Sequence, residues 1–344
     1  MPGPNVPFPP MEAQLVRTLP DEGGWQYEPK WDGFRGVLEN DGGALALWSR
    51  NGRPLLRYFP ELAGLGERLA PHSALDGEIV IEQNGRLEFD LLQMRLHPAE
   101  SRVRKLAAET PARFVCFDVL LWNSAEVWKQ PLAKRRARVE KLPFDVSPAS
   151  RDPDQAREWL SGLDAIGLDG VVAKRLDSPY LPGSRDAVQK VKEHRTADCV
   201  VVGVRWKEKP TTLATLLLGL YEDDGRIDYV GSCAVAAGRR KEILALVEPL
   251  LAGAPERGFA EQNRWGSGGL EESALRPELV VEVRYDKVQG NRFRHDTQAG
   301  VPGGIRFRHG TRLVRFRPDK DPRDCTVEQV LPLDAGTRVS DLLG

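Results

Sequence analysis

The chain has 344 residues, more than one ordinary hydrophobic core accommodates, and this length predicts two domains. Its 41% hydrophobic and 29% charged residues are typical of a globular protein, and no apolar run approaches the roughly 18 residues of a membrane span. The net charge of −1 argues against a protein that coats nucleic acid with its whole surface.

The cysteines and the N-terminus indicate the cytoplasm. The four cysteines lie far apart and form no C-x-x-C pair, so we expect neither disulfides nor a zinc site. The first residues, Met1–Pro4, lack the charged and apolar regions of a signal peptide. We therefore expect a cytoplasmic protein without a membrane partner.

The most informative stretch lies near the N-terminus. Residues 1–27 are rich in proline and predict an extended arm with a short helix near Met11–Thr18. The next eight residues, Glu28–Arg35, contain a lysine, two carboxylates, a glycine and an arginine. Lys30 becomes a nucleophile if burial or nearby positive charge allows it to lose its proton. The alternative is a surface turn at Asp32-Gly33 with a solvated lysine, so the choice depends on partners elsewhere in the chain.

Strand and turn signals follow this stretch. Apolar segments bounded by the Asn-Gly pairs at residues 51–52 and 84–85 predict β-hairpins. The predicted strands are Ala44–Ser49, Leu75–Ile81, Leu87–Phe89 and Phe114–Leu121. The last of these is almost continuously apolar but contains Asp118, which a buried strand tolerates only if the carboxylate is paired or used.

Helices and two further strands complete the first predicted domain. The heavily basic segment Pro131–Leu142 predicts a helix with a solvated face, and a second helix begins at Asp152 and runs to about Ala165. A strand at residues 167–174 has Asp169 near its start and Lys174 at its end. Lys190 and Lys192 alternate on a further strand, which places both ammonium groups on the same face. We predict that this domain covers residues 1–195.

Residues 196–344 are predicted to form a second domain with a C-terminal tail. The pattern predicts strands Asp198–Trp206, Thr215–Tyr221, Ile227–Ser232, Leu279–Tyr285 and Arg312–Arg317 and one helix, Arg240–Leu251. Several short strands with one helix are typical of a small barrel of the OB type. The stretch Asp286–Asp324 contains ten Lys or Arg against five Asp or Glu, a net charge of +5. It is a candidate phosphate-facing surface, and a solvated basic face is the alternative.

Polar residues gather at the strand ends of the first domain. They are Lys30, Asp32, Arg35, Arg50, Glu78, Asp118, Asp169, Lys174, Lys190 and Lys192. Carboxylates of this kind hold divalent metal, and cations neutralise charge that develops on phosphate oxygens. There is no G-x-x-x-x-G-K-[ST] loop, which disfavours hydrolysis of the P-loop type. The residues alone therefore predict phosphoryl or nucleotidyl transfer and go no further.

The motifs resemble, in the same order, those of the covalent nucleotidyltransferases, and among these the ATP-dependent DNA ligases. Glu28–Arg35 is similar to the K-x-D-G motif, Ser49–Gly52 to S-R-N-G, Leu75–Val80 to D-G-E-[IV], and Phe114–Leu120 to F-x-x-F-D-[VLI]. Asp169–Lys174 is similar to E-G-[VL]-[VM]-x-K, Lys190–Lys192 to K-x-K, and Arg312–Lys320 to R-F-x-R-x-R-x-D-K. Arg195–Val201 is most similar to the small bacterial ligase C type. This resemblance covers essentially the whole chain and implies an α+β fold: a nucleotidyltransferase (adenylation) domain of antiparallel sheets and helices, followed by a β-barrel OB-fold domain.

The resemblance implies a role for each matched residue. Lys30, with Asp32 two residues on, attacks the α-phosphate of ATP and becomes adenylylated. Glu28 reads the adenine edge, Phe117 stacks on the base, Lys174 belongs to the nucleotide site, and Arg35 and Arg50 contact ribose or the nick phosphate. Glu78 and Asp169 serve Mg²⁺ or Mn²⁺ and the ribose, while Lys190 and Lys192 hold the α-phosphate. Arg312, Arg315, Arg317, Asp319 and Lys320 orient the departing pyrophosphate when the second domain closes.

The resemblance further implies a DNA ligase that seals 5′-phosphate/3′-hydroxyl nicks in duplex DNA through lysyl-AMP and DNA-adenylate, in DNA repair. The other basic residues of the second domain, Arg292, Arg294, Arg306 and Arg308, would then contact DNA phosphates. We expect a monomer, with repair proteins as partners. Asp169 stands where the family usually has Glu, which shortens that metal ligand. The alternatives are an RNA ligase, a capping-type guanylyltransferase, or a non-catalytic OB protein that binds nucleic acid.

Overall fold

The computed structural model describes residues 4–192, 195–209, 211–252, 271–290, 304–331 and 338–343. The chain divides into two compact units. The first comprises Met1–Glu193 with Pro332–Gly344, and the second comprises His194–Leu331. Among the described residues, no helix combines the length and apolar character needed to cross a membrane.

The first unit contains two sheets surrounded by short helices. Its strands are β1 (Gln14–Leu15), β2 (Trp25–Pro29), β3 (Phe34–Asn40), β4 (Leu45–Ser49), β5 (Ser73–Gln83), β6 (Arg86–Leu87), β7 (Ala112–Leu121), β8 (Asp145–Val146), β9 (Val171–Arg175) and β10 (Val188–Val191). Its α-helices are α1 (Phe89–Arg95), α2 (Glu100–Glu109), α3 (Leu132–Val139) and α4 (Pro153–Gly162). Its 3-10 helices are Leu56–Tyr58, Pro60–Glu67, Val127–Lys129 and Leu163–Ile166.

The smaller sheet has the order β1-β10-β9-β2, and the larger has the order β4-β3-β5-β7-β8, with β6 paired to β5. Neighbours are antiparallel except for the parallel pairs β1/β10 and β7/β8. Strands β5 and β7 are internal, which explains why both are buried along most of their length. Their residues Asp76 and Asp118 lie opposite each other, so each buried carboxylate needs its own cation.

Both carboxylates have such a cation. Arg35 binds Asp76, and Arg135 of α3 donates to both oxygens of Asp118 at 2.7 and 3.0 Å. Arg135 is therefore a buried structural residue, as is Arg136, which donates to the Ser147 carbonyl at 2.8 Å. The prediction that this basic helix exposes its charges to solvent is wrong for these two arginines, because the sequence pattern does not show which charges are paired.

The second unit is built on a six-stranded antiparallel sheet. Its strands are β11 (Arg195–Glu208), β12 (Thr212–Tyr221), β13 (Ile227–Ala234), β14 (Glu271–Ala274), β15 (Val280–Tyr285), β16 (Val288–Gln289), β17 (Arg306–Phe307) and β18 (Arg312–Phe316), and its α-helix is α5 (Arg240–Val247). Its 3-10 helices are Ala237–Arg239, Glu248–Leu250, Pro322–Asp324 and Val327–Val330. The sheet order is β13-β12-β11-β15-β18, with β14 paired to β11, and β16 pairs with β17. Its core is formed by apolar side chains of β11, β12, β13 and β15 together with Ile243 and Val247 of α5.

Two local predictions are wrong. The predicted helix at Met11–Thr18 is an extended segment, because Gln14 and Leu15 pair in parallel with Gln189 and Lys190 of β10. The C-terminal tail groups with the first unit rather than the second. Its helix α6 (Val339–Leu343) places Val339 in an apolar cluster with residues of β5, β6 and β7. The boundary predicted at residues 195/196 stays a prediction.

Candidate active site

Lys30 lies at the end of β2, where backbone pairing holds it beside β9. Its N–H donates to the Gly170 carbonyl at 2.8 Å, and the Asp169 N–H donates to the Lys30 carbonyl at 2.9 Å. Gly170 has φ +118°, and a Cβ there would lie 2.1 Å from the Val191 carbonyl oxygen. Gly33 is equally restricted, because a Cβ added there would lie 2.1 Å from the Ile79 carbonyl oxygen. These close approaches fix the backbone on both sides of the lysine.

The Lys30 side chain forms a three-residue ion cluster. Its Nζ lies 2.5 Å from Oδ2 of Asp169, and the Nζ of Lys192 lies 2.8 Å from the same oxygen. Burial acts to raise the pKa of Asp169, but the charges and hydrogen bonds of Lys30 and Lys192 outweigh it and lower this pKa to about 2. Lys190 lies on the neighbouring strand, where burial and the charges of the two other lysines lower its pKa. One carboxylate therefore holds a group of cations together.

Glu28 forms a second, buried polar group. Its carboxylate accepts from Lys174 Nζ at 2.8 Å and from the Gln26 side-chain amide at 2.8 Å, and only 2% of the residue is exposed. The ring of Phe117 lies beneath two cations, with Lys174 Nζ 4.5 Å and the Arg35 guanidinium carbon 4.7 Å from its centroid. The acceptors of Glu28 and the aromatic ring are the kinds of group that bind a purine base.

Arg35 and Glu78 occupy opposite positions on β3 and β5. Arg35 donates to both oxygens of the fully buried Asp76 at 2.5 Å, and the Tyr180 hydroxyl donates to Oδ2 of Asp76 at 2.6 Å. Burial acts to lower the pKa of Arg35, but Asp76 raises it, so this guanidinium stays charged. Burial raises the pKa of Glu78 to about 7 against the opposing charges of Arg35 and Lys30. Glu78 is therefore a carboxyl group that titrates near neutral pH.

Arg50 lies at the cavity mouth in an arginine pair that shares one carboxylate. Its Nη2 lies 2.8 Å from Oε1 of Glu12, and Arg185 donates from Nε to Oε2 of Glu12 at 2.7 Å. The hydrogen bond from Arg185 lowers the pKa of Glu12. Both arginines are about two-thirds exposed. Their remaining N–H groups therefore face solvent at the cavity edge.

These groups surround one cavity of about 380 Å³ within the first unit. The predicted residues that line it are Glu28, Lys30, Arg35, Arg50, Glu78, Phe117, Asp118, Lys174 and Lys190. Asp169 and Lys192 join them through the ion pair with Lys30, and Asp32 is buried nearby with its charge acting on Glu78. The volume suits a nucleotide-sized ligand. Among the described residues, no three His, Cys, Asp or Glu side chains form a ready metal cluster.

Sequence reasoning missed several lining residues: Met11, Glu12, Asp76, Tyr180 and Arg185. Asp76 stands inside the D-G-E motif and could have been found there. The other four reach the cavity through loops and the N-terminal arm, and no local pattern marks them.

The predicted pyrophosphate-binding residues lie on β18, which begins at Arg312, and on the residues that follow it in the second unit. Arg317 donates to both oxygens of Asp198 at 2.9 Å and to Asp319 at 2.9 Å. The hydrogen bond from Arg317 lowers the pKa of Asp319 to about 2. Arg315 donates to Glu282 at 2.6 Å, whereas Lys320 lies 3.9 Å from Asp324. Arg312 is exposed on the strand. Of the other basic residues predicted here, Arg306 lies in β17 and Arg308 follows it, while Arg292 and Arg294 lie outside the described residues.

Family comparison identifies the class of protein. Residues 10–192 match the model of the ATP dependent DNA ligase domain, and residues 209–320 match that of the ATP dependent DNA ligase C terminal region. The chain therefore belongs to the ATP-dependent DNA ligases. It is an enzyme whose family uses ATP and acts on nicked DNA.

Within this family the chain is similar to the mycobacterial C-type ligases. It is 43% identical to DNA ligase C1 of Mycolicibacterium smegmatis over 337 residues, covering 94% of each chain. It is 40% identical to DNA ligase C of Mycobacterium tuberculosis, again covering 94% of each chain. A solved structure of a Lig E DNA ligase is 17% identical, with a TM-score of 0.51, and covers 89% of this chain and 100% of that one. The predicted family and the α+β fold of adenylation and OB-fold domains are confirmed.

Proposed function

We propose that Lys30 is the residue that carries AMP while this ligase seals nicks in duplex DNA. The observation that carries this proposal is the position of Lys30, held by its backbone at the wall of the 380 Å³ cavity with its Nζ beside Asp169. The neutral amine attacks the α-phosphorus of ATP, so a P–N bond forms, the bond to pyrophosphate breaks and the amine loses a proton. The 5′-phosphate of the nick then displaces Lys30 from AMP. The 3′-hydroxyl finally attacks this phosphate and releases AMP.

The cavity separates base recognition from phosphate recognition. Buried Glu28 offers carboxylate oxygens to the exocyclic amine of adenine, and Phe117 offers its ring to the base. Lys174 contacts both of these side chains and holds them in place. On the phosphate side, Lys190 and Lys192 supply positive charge next to Lys30, and Asp169 binds the side chains of Lys30 and Lys192. Preorganised cations of this kind stabilise negative charge that develops on the α-phosphate.

Glu78 and Asp169 are the proposed ligands for Mg²⁺ or Mn²⁺. Both carboxylates interact electrostatically with Lys30, so both would lie near the phosphate that Lys30 attacks. One or two carboxylates completed by phosphate oxygens and water are the usual protein contribution to such a site. A bound divalent cation would neutralise phosphate charge. It would also favour the ionised form of Glu78, whose pKa without metal is about 7.

The basic residues of the second unit are proposed to bind pyrophosphate when that unit closes on the nucleotide. Arg312 is exposed, Lys320 lies no nearer than 3.9 Å to Asp324, and Asp319 holds Arg317. Closure for the first step and opening for the DNA steps would follow the general behaviour of mobile catalytic domains. We also propose that the protein acts as a monomer in DNA repair.

The test compares nucleotides and nicks in one assay. The protein is incubated with labelled ATP or GTP and divalent metal, and then with nicked DNA, nicked RNA–DNA hybrid or nicked RNA. An AMP adduct that is discharged into sealed DNA supports the proposal. A GMP adduct, or sealing confined to nicked RNA, would indicate a capping-type or RNA-joining enzyme instead.

A further inference from the structure

The C-terminal tail is docked on the first unit, to which the chain returns after the second unit. The Val339 N–H donates at 3.0 Å to the carbonyl of Gly85, in the turn between β5 and β6. The Asp341 carboxylate accepts from the Arg338 N–H at 2.8 Å, a contact typical of the start of a helix. Val339 is completely buried, with 0% of the residue exposed. A backbone hydrogen bond and an apolar side chain therefore hold the tail.

The Val339 side chain belongs to an apolar cluster that includes neighbours of the reactive lysine. Buried members of this cluster are Trp31, Val115 and Leu168, and Leu342 and Leu343 of α6 pack against them. Trp31 directly follows Lys30 in the chain, and Leu168 directly precedes Asp169. The cluster thus contains a neighbour of each partner in the 2.5 Å ion pair between Lys30 and Asp169.

Trp31 connects this cluster to the nucleotide cavity. It lines the cavity together with Lys30, and only 6% of the residue is exposed. Its indole N–H donates to the Ser147 hydroxyl at 2.9 Å, which fixes the orientation of the ring. A buried aromatic ring held in this way depends on its apolar neighbours for its remaining contacts. A change in the cluster would therefore be felt at the wall of the cavity.

The cluster and the cavity lie on the same face of the larger sheet. Val115 of β7 pairs directly with Glu78 of β5, and Glu78 lines the cavity. Residues directly opposite each other in an antiparallel pair share one face, with Cβ atoms about 5 Å apart. The apolar cluster that contains Val339 is therefore adjacent to the nucleotide cavity.

Close packing gives this arrangement a consequence for the chemistry. The backbone of Lys30 is bonded to Asp169 and Gly170, so the lysine moves with the segment that follows Leu168. A misplacement of about 1 Å can slow a reaction by about 100-fold. Loss of the Val339 side chain would remove packing from the cluster on which this geometry rests.

We propose that the C-terminal tail is a positioning element for the first step of sealing. Val339 packs the cluster that holds Lys30 beside Asp169, in the geometry from which Lys30 attacks ATP. Val339 does not line the cavity, so it is a positioning residue and not a catalytic one. This role rests on the function proposed for Lys30 and extends it to residues that follow the second unit.

The experiment separates positioning of Lys30 from nucleotide binding and from folding. Single-turnover self-adenylylation of the full chain is measured over a range of ATP concentrations for the wild type, Val339→Asp and Val339→Ala. The same proteins then seal a nick that already carries AMP, where the 3′-hydroxyl and not Lys30 is the nucleophile. Ser340→Asp is the matched control, because Ser340 is the next residue of α6 and is exposed.

We expect Val339→Asp to slow self-adenylylation at saturating ATP by about tenfold or more, and Val339→Ala by about threefold. The ATP concentration at half saturation should change by less than about twofold, since Glu28 and Phe117, the groups proposed to bind the base, are not members of the cluster. Sealing of the nick that carries AMP should stay within about twofold of the wild type. Ser340→Asp should match the wild type in every measurement.

Three results would overturn the proposal. The first is a wild-type rate of self-adenylylation in both Val339 variants. The second is an equal loss of self-adenylylation and of sealing in Val339→Ala, which would show that the tail serves only the fold; this variant decides the question if Val339→Asp does not fold. The third is a raised half-saturating ATP concentration with an unchanged rate at saturation, which would assign the tail to nucleotide binding.

The same data distinguish this proposal from the function on which it rests. If the wild type formed no AMP adduct, the function proposed for Lys30 would be refuted. If the wild type formed the adduct and both Val339 variants formed it equally fast, only the role of the tail would be refuted.

Discussion

Replacement of Asp169 by Asn tests how the ion cluster around Lys30 is held. Asp169 is 11% exposed, and one of its oxygens binds Lys30 and Lys192 at 2.5 and 2.8 Å. Its pKa falls from 3.8 to about 2 in the folded protein. A difference of about 1.8 pKa units is worth about 2.5 kcal/mol, at about 1.4 kcal/mol for each unit. Asp169→Asn should therefore lower the free energy of unfolding by about 2.5 kcal/mol at pH 7.

The pH dependence of this loss has a definite sign. Because the folded pKa of Asp169 lies below its ordinary value of 3.8, its contribution is complete above that value and disappears as the pH falls towards about 2. The difference between wild type and Asp169→Asn should thus be constant near neutral pH and narrow below pH 4. Urea denaturation at a series of pH values measures both quantities.

Asp177→Asn is the control, since Asp177 is 77% exposed and lies 3.5 Å from Arg175. It should change the free energy of unfolding by less than about 0.5 kcal/mol. The Asp169 substitution should also slow self-adenylylation by about tenfold or more, because Lys30 loses the group that orients it. A stability loss as small as that of Asp177→Asn, or one that stays constant down to pH 3, would refute this account of the cluster.

Three further predictions concern other parts of the site. Since burial raises the pKa of Glu78 from 4.5 to about 7, its ionisation lowers the stability of the wild type as the pH rises through this range. Glu78→Gln should remove this loss, and urea denaturation should show it to be more stable than the wild type by up to about 3 kcal/mol at pH 8. A pH profile of stability that Glu78→Gln leaves unchanged would contradict this prediction. Gly170→Ala should destabilise the fold by more than about 2 kcal/mol and abolish self-adenylylation, because the alanine Cβ would meet the Val191 carbonyl. If this variant kept the stability and activity of the wild type, the backbone at residue 170 would not be restricted. Lys320→Ala should block self-adenylylation yet largely spare the sealing of nicks that already carry AMP, and an equal loss of both steps would count against closure of the second unit.

Sequence reasoning located most of the cavity because its groups stand in short motifs at strand ends. Lys30, Glu78, Phe117 and Lys190 all reach one cavity, although more than 150 residues separate the first from the last. The strands themselves followed from apolar runs and Asn-Gly turns. Local pattern and turn chemistry are strong signals where a strand is internal and a hairpin is tight.

Non-local pairing explains what sequence reasoning missed. Residues 11–18 have the composition of a short helix, but parallel pairing of Gln14 and Leu15 with β10 makes the segment extended. The same pairing brings Glu12 to Arg50 and Arg185, which no local pattern connects. The charges of α3 show the same limit, because the burial of Arg135 depends on Asp118 from β7.

The most direct measurement is the identity of the residue that carries AMP. The wild type and Lys30→Ala are incubated with labelled ATP and divalent metal, digested, and mapped by mass spectrometry, with Lys105→Ala as the control because Lys105 is exposed on α2. We expect one acid-labile AMP adduct on the peptide containing Lys30 in the wild type and the control, and none in Lys30→Ala. An adduct on another lysine, or one that persists in Lys30→Ala, would contradict the account.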